Sequence, residues 1–340
     1  MCLPRCGFRI GAPTTYLPAS PFGGGARKKS AFLAHVGTCE GQPSQQVVRF
    51  SCVKSFVHRF DTLILEGGSL RCAFTAGVMD ALMLLGPMRF QRTLGVSAGA
   101  MVMASYLAGQ HKYFIRVVRE LLGAGEFIRF SAALSDEGVM NLAHLKRHVM
   151  VHAPLDMNAL EEAQRMTQVW VVMTHAESGK SIYIRPQSDT WLNALVASAT
   201  LPMWTRGQAK WGEDWVFDGG YSDPLPLDKA LDLGGERILV VRTRPSGDHI
   251  TQSTTDYLAS WWFQDRPGVN KLFEEGHVAY NDTVDRLFAG GDGQGRSWEE
   301  IAPPVPLKSD SMRVGPTEVM SDYRLGLDAA LTWWSRQLRA

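Results

Sequence analysis

Residues 93–99 read T-L-G-V-S-A-G, inside a stretch that carries no charged residue from Thr93 to Gln110. Such a stretch suits a membrane span, a buried helix, or a turn between a strand and a helix. Gly95, Ser97 and Gly99 interrupt its first part, and the fully apolar remainder is shorter than the roughly 20 residues a bilayer span needs. Phe90–Leu94 fits a buried strand and Ala98–Ala108 fits a helix, so the pattern predicts strand, sharp turn, helix. A serine in a G-x-S-x-G turn of this kind stands clear of the sheet. The helix N-terminus beneath it favours negative charge, which suits a nucleophile. The plainer reading is a serine that caps a helix.

The upstream neighbourhood supplies a partner for that turn. Thr62–Leu65 is a short apolar run that ends in Glu66-Gly67-Gly68. Ala73–Leu85 follows as a helix with Phe74, Val78, Leu82 and Leu85 on one side, stopped by Gly86-Pro87. Strand, loop, helix and strand together read as a βαβ unit with a right-handed crossover. That unit brings the Gly67-Gly68-Ser69-Leu70-Arg71 loop beside the serine turn at one sheet edge. Glycines there let backbone N–H groups face a carbonyl oxygen, as an oxyanion hole requires. A phosphate-binding loop or an ordinary strand-to-helix turn has the same glycines. Further on, Trp215-Val216-Phe217 reads as a strand that leads into Asp218-Gly219-Gly220. Asp218 is the candidate base, and a turn aspartate is the alternative, since Asp-Gly is a frequent turn pair.

The rest of the chain completes an α/β pattern. Val169–Met173 and Ser181–Ile184 read as strands joined through Glu177-Ser178-Gly179-Lys180. Trp191–Ala199 and Leu227–Leu233 read as helices, and Ile238–Val241 as a further buried strand. Beyond Pro245 the chain reads as mainly helical, with clear segments at Val269–Phe288 and Thr317–Leu338. The expected division is a catalytic domain at 58–245 and a helical extension at 246–340 packed on it. Residues 1–57 carry Pro, Gly, Ser and basic clusters without periodicity or a secretory signal, and read as a disordered or non-native extension. The tryptophans in Trp261-Trp262-Phe263 and Trp333-Trp334 are read as core first and as a lipid-facing border second.

Composition narrows the function classes. The formal net charge of the 340 residues is +1, so no bulk attraction to nucleic acid or anionic membranes is expected. Any membrane contact has to come from a local apolar patch. Cysteines stand at Cys2, Cys6, Cys39, Cys52 and Cys72, an odd number without zinc spacing. A reducing compartment, no disulfide framework and no metal follow as expectations, with the cytoplasm as the location and the membrane periphery as its one extension.

Three motifs in order make the sequence resemble the patatin-like phospholipase family, over about Asp61 to Val241. Gly67-Gly68-Ser69-Leu70-Arg71-Cys72 matches the glycine-rich oxyanion motif, Gly95-Val96-Ser97-Ala98-Gly99 the nucleophile motif, and Asp218-Gly219-Gly220 the D-G-[AG] motif. The stretches A-S-A-T-L-P before the last motif and D-P-L-P after it also look like family sequence. The resemblance implies a three-layer α/β/α sandwich with a mainly parallel sheet. It implies a Ser97–Asp218 dyad without a catalytic histidine, an acyl-enzyme, and no cofactor. Backbone N–H groups near Gly67, Gly68 and Ser69 would hold the oxyanion, and Arg71 would orient the loop or meet a phosphate. The implied substrates are lipid acyl esters: phospholipids, lysophospholipids or neutral glycerides. Ser69 and Cys72 depart from the family pattern, each standing where a glycine is usual. One rival is an α/β-hydrolase esterase with a Ser–Asp–His triad, for which His249 and His277 follow Asp218 in the right order. Another is a lipid- or partner-binding protein that has lost turnover.

Overall fold

Among the described residues, eight strands form one sheet in the order β5-β6-β3-β2-β1-β7-β8, with β4 also paired to β3. They are β1 (Thr62–Leu65), β2 (Arg92–Val96), β3 (Gln168–His175), β4 (Ser181–Ile184), β5 (Ala209–Trp211), β6 (Asp214–Asp218), β7 (Arg237–Val241) and β8 (Ser297–Ile301). Strands β3, β2, β1, β7 and β8 are parallel to their neighbours in that series. The pairs β3–β4, β3–β6 and β5–β6 are antiparallel. The computed structural model describes residues 59–339, apart from 87, 130–137, 203–204, 206–208 and 311–313. The expected extension at 1–57 lies outside the described residues.

Among the described residues, ten helices accompany the sheet: α1 (Cys72–Leu85), α2 (Ala98–Leu107), α3 (Tyr113–Ala124), α4 (Leu142–Val151), α5 (Met157–Met166), α6 (Trp191–Ser198), α7 (Leu227–Asp232), α8 (Thr254–Trp262), α9 (Pro267–Ala289) and α10 (Pro316–Gln337). Strand side chains alternate between faces, and the two faces feed separate cores. Leu63, Leu65, Val169, Val171, Leu239 and Val241 join the larger core with residues of α1, α2 and α3. Ile64, Leu94, Ile238 and Val240 join a second core with Leu227 and Ala230 of α7 and Tyr280, Val284 and Leu287 of α9. Helices therefore cover both faces of a mainly parallel sheet, the expected α/β/α architecture. The uncharged stretch at 93–110 resolves into β2, the Ser97 turn and α2. No described helix is long and apolar enough to cross a membrane.

Two features after Pro245 differ from the sequence reading. The segment is not only helical: β8 pairs in parallel with β7 and extends the sheet. Trp261 and Trp262, read first as core, are 66% and 67% exposed, whereas Phe263 and Trp333 are buried. The long helix α10 packs on α1 through two facing glycines. A Cβ at Gly77 would lie 2.0 Å from the Tyr323 carbonyl oxygen, and one at Gly326 would lie 2.1 Å from that of Phe74. Only glycines allow this backbone approach. The contact is reinforced by the Tyr323 hydroxyl, which donates to the buried Asp80 carboxylate at 2.9 Å.

The α1–α10 crossing predicts opposite results from two glycine substitutions. Gly326→Ala loses about 3 kcal/mol or more of stability in urea denaturation, because the added methyl separates two backbones. Gly123→Ala in α3, where a Cβ meets nothing within 4 Å, gains about 0.5–1 kcal/mol through helix propensity.

Candidate active site

Strand register sets the position of the site. Val171 and Val172 of β3 pair with β2 on one side and β4 on the other. Met173 and Thr174 pair with β4 and with β6. Strand β6 therefore occupies the lane that β2 has left, and the two strands meet end to end. Val96, the last residue of β2, lies opposite Val172, and Asp218, the last residue of β6, lies opposite Met173. Ser97 follows Val96, so the lane itself brings Ser97 and Asp218 together from 121 positions apart.

The Ser97 turn is strained and held from several sides. Its backbone has φ 53° and ψ −129°, a conformation that costs of order 1–3 kcal/mol for a residue with a side chain. A Cβ at Gly95 would lie 2.7 Å from the Cα of Ala100, and one at Gly99 would lie 2.5 Å from the Glu66 carbonyl oxygen. The flanking glycines thus let α2 start directly against β2 and the end of β1. The Ser97 N–H donates to the Ser198 hydroxyl at 2.8 Å, and that hydroxyl donates to the Val172 carbonyl at 2.7 Å. Ser198, in the A-S-A-T-L-P stretch, therefore fastens the turn to β3. It also engages the Ser97 N–H, so that group is not free to meet a substrate.

Asp218 is buried and accepts two hydrogen bonds. The Ser97 hydroxyl donates to its Oδ2 at 2.5 Å, and the Gly220 N–H donates to its Oδ1 at 2.7 Å. Its own N–H donates to the Thr200 carbonyl at 2.8 Å. Gly219 has to be glycine, because a Cβ there would lie 2.3 Å from the Val172 carbonyl oxygen. Burial pushes the Asp218 carboxyl up to about 7, against the lowering effect of the bonds from Ser97 and Gly220. Burial disfavours the charged form, so this carboxylate is a stronger base than an exposed aspartate.

The glycine loop passes against the nucleophile turn. A Cβ on Gly67 would lie 3.2 Å from that of Ser97. The N–H groups of Gly67, Gly68 and Ser69 make no hydrogen bond to another described residue, and all three residues line the cavity described below. Ser69 takes φ 51°, so it keeps the left-handed conformation that a glycine would adopt there. Arg71 has a different place from the other three. Its N–H donates to the Gly68 carbonyl at 3.0 Å, and its guanidinium pairs with Asp310. It clamps the loop and offers no backbone donor. Cys72 is fully buried, does not line the cavity, and its thiol donates weakly to the Glu66 carbonyl at 3.6 Å. Burial pushes this thiol up to about 12, so it stays protonated.

Beneath the loop lies an ionic network that the sequence reading missed. Glu66, immediately before Gly67, accepts from the Thr243 N–H at 2.5 Å, from Arg242 Nε at 3.2 Å and from the Tyr280 hydroxyl at 2.6 Å. Arg242 also donates to Glu300 at 2.5 Å and to the Tyr280 oxygen at 3.0 Å. The Thr243 hydroxyl donates to the Gly67 carbonyl at 3.0 Å. Burial works to lower the Arg242 pKa, but Glu66, Tyr280 and Glu300 drive it upward, and the guanidinium stays charged. The network fastens the loop to β7, α9 and β8. Its sequence signal was faint: an arginine at the end of an apolar strand usually reads as solvent-exposed.

Ser97 and Asp218 open into a cavity of about 480 Å³, within the ~300–1,000 Å³ typical of ligand pockets. One wall is apolar and comes from α3, α4 and α6, including Phe114, Val118, Leu145 and Leu195. The other carries Arg244, Asp256 and His277. His249 does not line the cavity; it pairs with Asp285 at 2.8 Å and is half exposed. Of the helices in the apolar wall, α6 matches the helix read at Trp191–Ala199, whereas α3 and α4 were not anticipated. The spacing of Tyr113, Phe114, Val117, Val118 and Leu121 marks one helix face and could have revealed α3. Among the described residues, no group of three or more His, Cys, Asp or Glu is placed to hold a metal ion.

Residues 63–231 match the patatin-like phospholipase family, and through that segment the chain belongs to this family of lipid acyl hydrolases. A curated relative, the uncharacterized protein YjjU of Escherichia coli (strain K12), is 27% identical over 267 residues, covering 78% of this chain and 74% of that protein.

The site sets two expected effects on stability. Arg242→Ala leaves Glu66 and Glu300 buried without a counter-charge and loses about 3–5 kcal/mol in chemical denaturation. Asp218 gives a pH-dependent effect. Its pKa is raised in the fold, so between about 4 and 7 the folded state holds more protons than the unfolded state, and stability falls as pH rises. Asp218→Asn removes that cost. Thermal unfolding is expected to find the variant more stable than wild type at about pH 8, with the gain shrinking as pH falls through 7 and gone near pH 4.

Proposed function

We propose that the protein is a serine lipid acyl hydrolase of the phospholipase A or lysophospholipase type, working through a Ser97–Asp218 dyad. The observation that carries this reading is the 2.5 Å hydrogen bond from the Ser97 hydroxyl to Asp218 at the base of a largely apolar cavity. Ser97 Oγ attacks the ester carbonyl while Asp218 takes its proton. The carbonyl oxygen becomes an oxyanion and is held by N–H groups of Gly67, Gly68 and Ser69. As the tetrahedral species collapses, the C–O bond to the alcohol breaks and the alcohol leaves with the proton from Asp218. Water then gives a proton to Asp218 and attacks the acyl-enzyme. The fatty acid is released and Ser97 recovers its proton.

Several features support this assignment. A carboxylate with a pKa near the working pH is suited to general-base catalysis. The apolar wall suits an acyl chain, and the family supplies the lipid ester class. Ser97 meets Asp218 without an imidazole between them, which favours the dyad over a triad through His249. Ser69 adopts the backbone conformation of the glycine it replaces, and Cys72 lies outside the cavity, so neither departure disables the loop. We also propose that residues 246–340 act as an integral part of the catalytic unit, through Tyr280, Glu300 and Asp310 around the loop.

Hydrolysis of a short p-nitrophenyl ester and a phospholipid panel tests the assignment. Ser97→Ala and Asp218→Asn are expected to lower kcat by about 10³-fold or more, with His249→Ala near wild type. Loss of activity in a folded His249→Ala variant would overturn the dyad. In wild type, kcat/KM should fall about tenfold per pH unit below roughly 7, as Asp218 becomes protonated.

A further inference from the structure

From the structure we infer that α8 is a docking helix that seats the protein on a zwitterionic lipid surface, through Tyr257, Leu258, Trp261 and Trp262. This inference rests on the lipid-ester reading for its choice of partner. The four side chains occupy positions i, i+1, i+4 and i+5, a single helix face. Each is more than half exposed, and they are adjacent, which isolated surface apolar residues seldom are.

The inner face of α8 is fixed. Ala259 and Ser260 are buried. Phe263, just after the helix, stacks on Phe273 of α9 with centroids 5.7 Å apart and meets Phe217 of β6 edge-on at 5.7 Å. Asn270 of α9 donates to the Ser260 carbonyl at 2.8 Å. At the start, Ser253 and Asp256 form a reciprocal capping box. The outer face is thus presented by a held helix.

Three observations select a lipid surface as the occupant. First, the face consists of two indoles, a phenol and a leucine. Tryptophan and tyrosine concentrate at membrane–water boundaries because an apolar ring carries a polar tip. Second, the helix that carries the patch borders the proposed site: its Asp256 lines the cavity that holds Ser97 and Asp218. A surface seated on α8 would therefore lie beside a wall of that cavity. Third, the nearby charges are mixed. Asp256 lies on the helix itself, Asp265 is followed by Arg266, and Lys271 pairs with Glu275. That arrangement offers no cationic field for anionic headgroups, so binding comes from apolar burial.

Flotation of the full chain with phosphatidylcholine vesicles tests the inference, with tryptophan emission as a second readout. Wild type is expected to float with the vesicles, to show a blue shift, and to be insensitive to added salt. The double variant Trp261→Ser/Trp262→Ser should bind roughly 100-fold more weakly, about tenfold per indole. Its turnover of a soluble p-nitrophenyl ester should stay at the wild-type level. Equal flotation of wild type and double variant would overturn the docking surface, as would no flotation of wild type. So would a wild-type dimer that the substitutions split into monomers without changing flotation, because the face would then serve a second copy. The catalytic reading fails separately, if wild type floats through these tryptophans but hydrolyses no ester.

Discussion

The site depends on one strand serving two successive neighbours. β3 pairs with β2 up to Val172 and with β6 from Met173 onward, on the same side. The lane changes owner between two consecutive residues. The chain that leaves the lane at Val96 must turn sharply, and the turn residue is Ser97. The chain that ends there in the opposite direction delivers Asp218. Strain at Ser97, the required glycine at 219 and the Ser198 bridge to Val172 all follow from fitting two strand ends into one lane. A serine and an aspartate far apart in sequence acquire a short hydrogen bond because the sheet brings their two strand ends together in one lane.

Holding the loop above that junction takes a different kind of interaction. Glu66 and Arg242 are both withdrawn from water, and a buried ion pair contributes little net stability because desolvation offsets attraction. Its value here is positional. The Glu66 carboxylate has three donors in fixed directions, so the chain enters Gly67 at one angle. Four of the network residues, Arg242, Thr243, Tyr280 and Glu300, lie beyond the segment that matches the family, which ends at 231. Asp310, on the far side of the loop, does as well. The C-terminal segment therefore contributes to the geometry of a site whose motifs all lie upstream.

Local chemistry made part of this legible in the sequence. Glycines flanking Ser97 signalled close backbone passage at a sharp turn, and their contacts with Ala100 and the Glu66 carbonyl are of that kind. Short apolar runs at 62–65 and 238–241 gave two central strands. What escaped was whatever depends on distant partners. β8 reads S-W-E-E-I, too polar for a buried strand, because Glu299 and Glu300 have partners in α10 and in Arg242 that no local pattern shows. Arg242, just after β7, has its partners Glu66, Glu300 and Tyr280 far away in sequence. Trp261 and Trp262 were assigned to the core on the general preference of tryptophan for burial, and the fold turns them outward. α3 was legible from its spacing and was passed over.

The central claim is that Ser97 is a nucleophile activated by Asp218. Labelling with a fluorophosphonate, followed by peptide mass spectrometry, tests it most directly, because the reagent bonds to an activated serine with loss of fluoride. The account predicts one adduct on the peptide containing Ser97, absent in Ser97→Ala and formed far more slowly in Asp218→Asn. An adduct on another serine, or labelling of Ser97 at the same rate in Asp218→Asn, would contradict it.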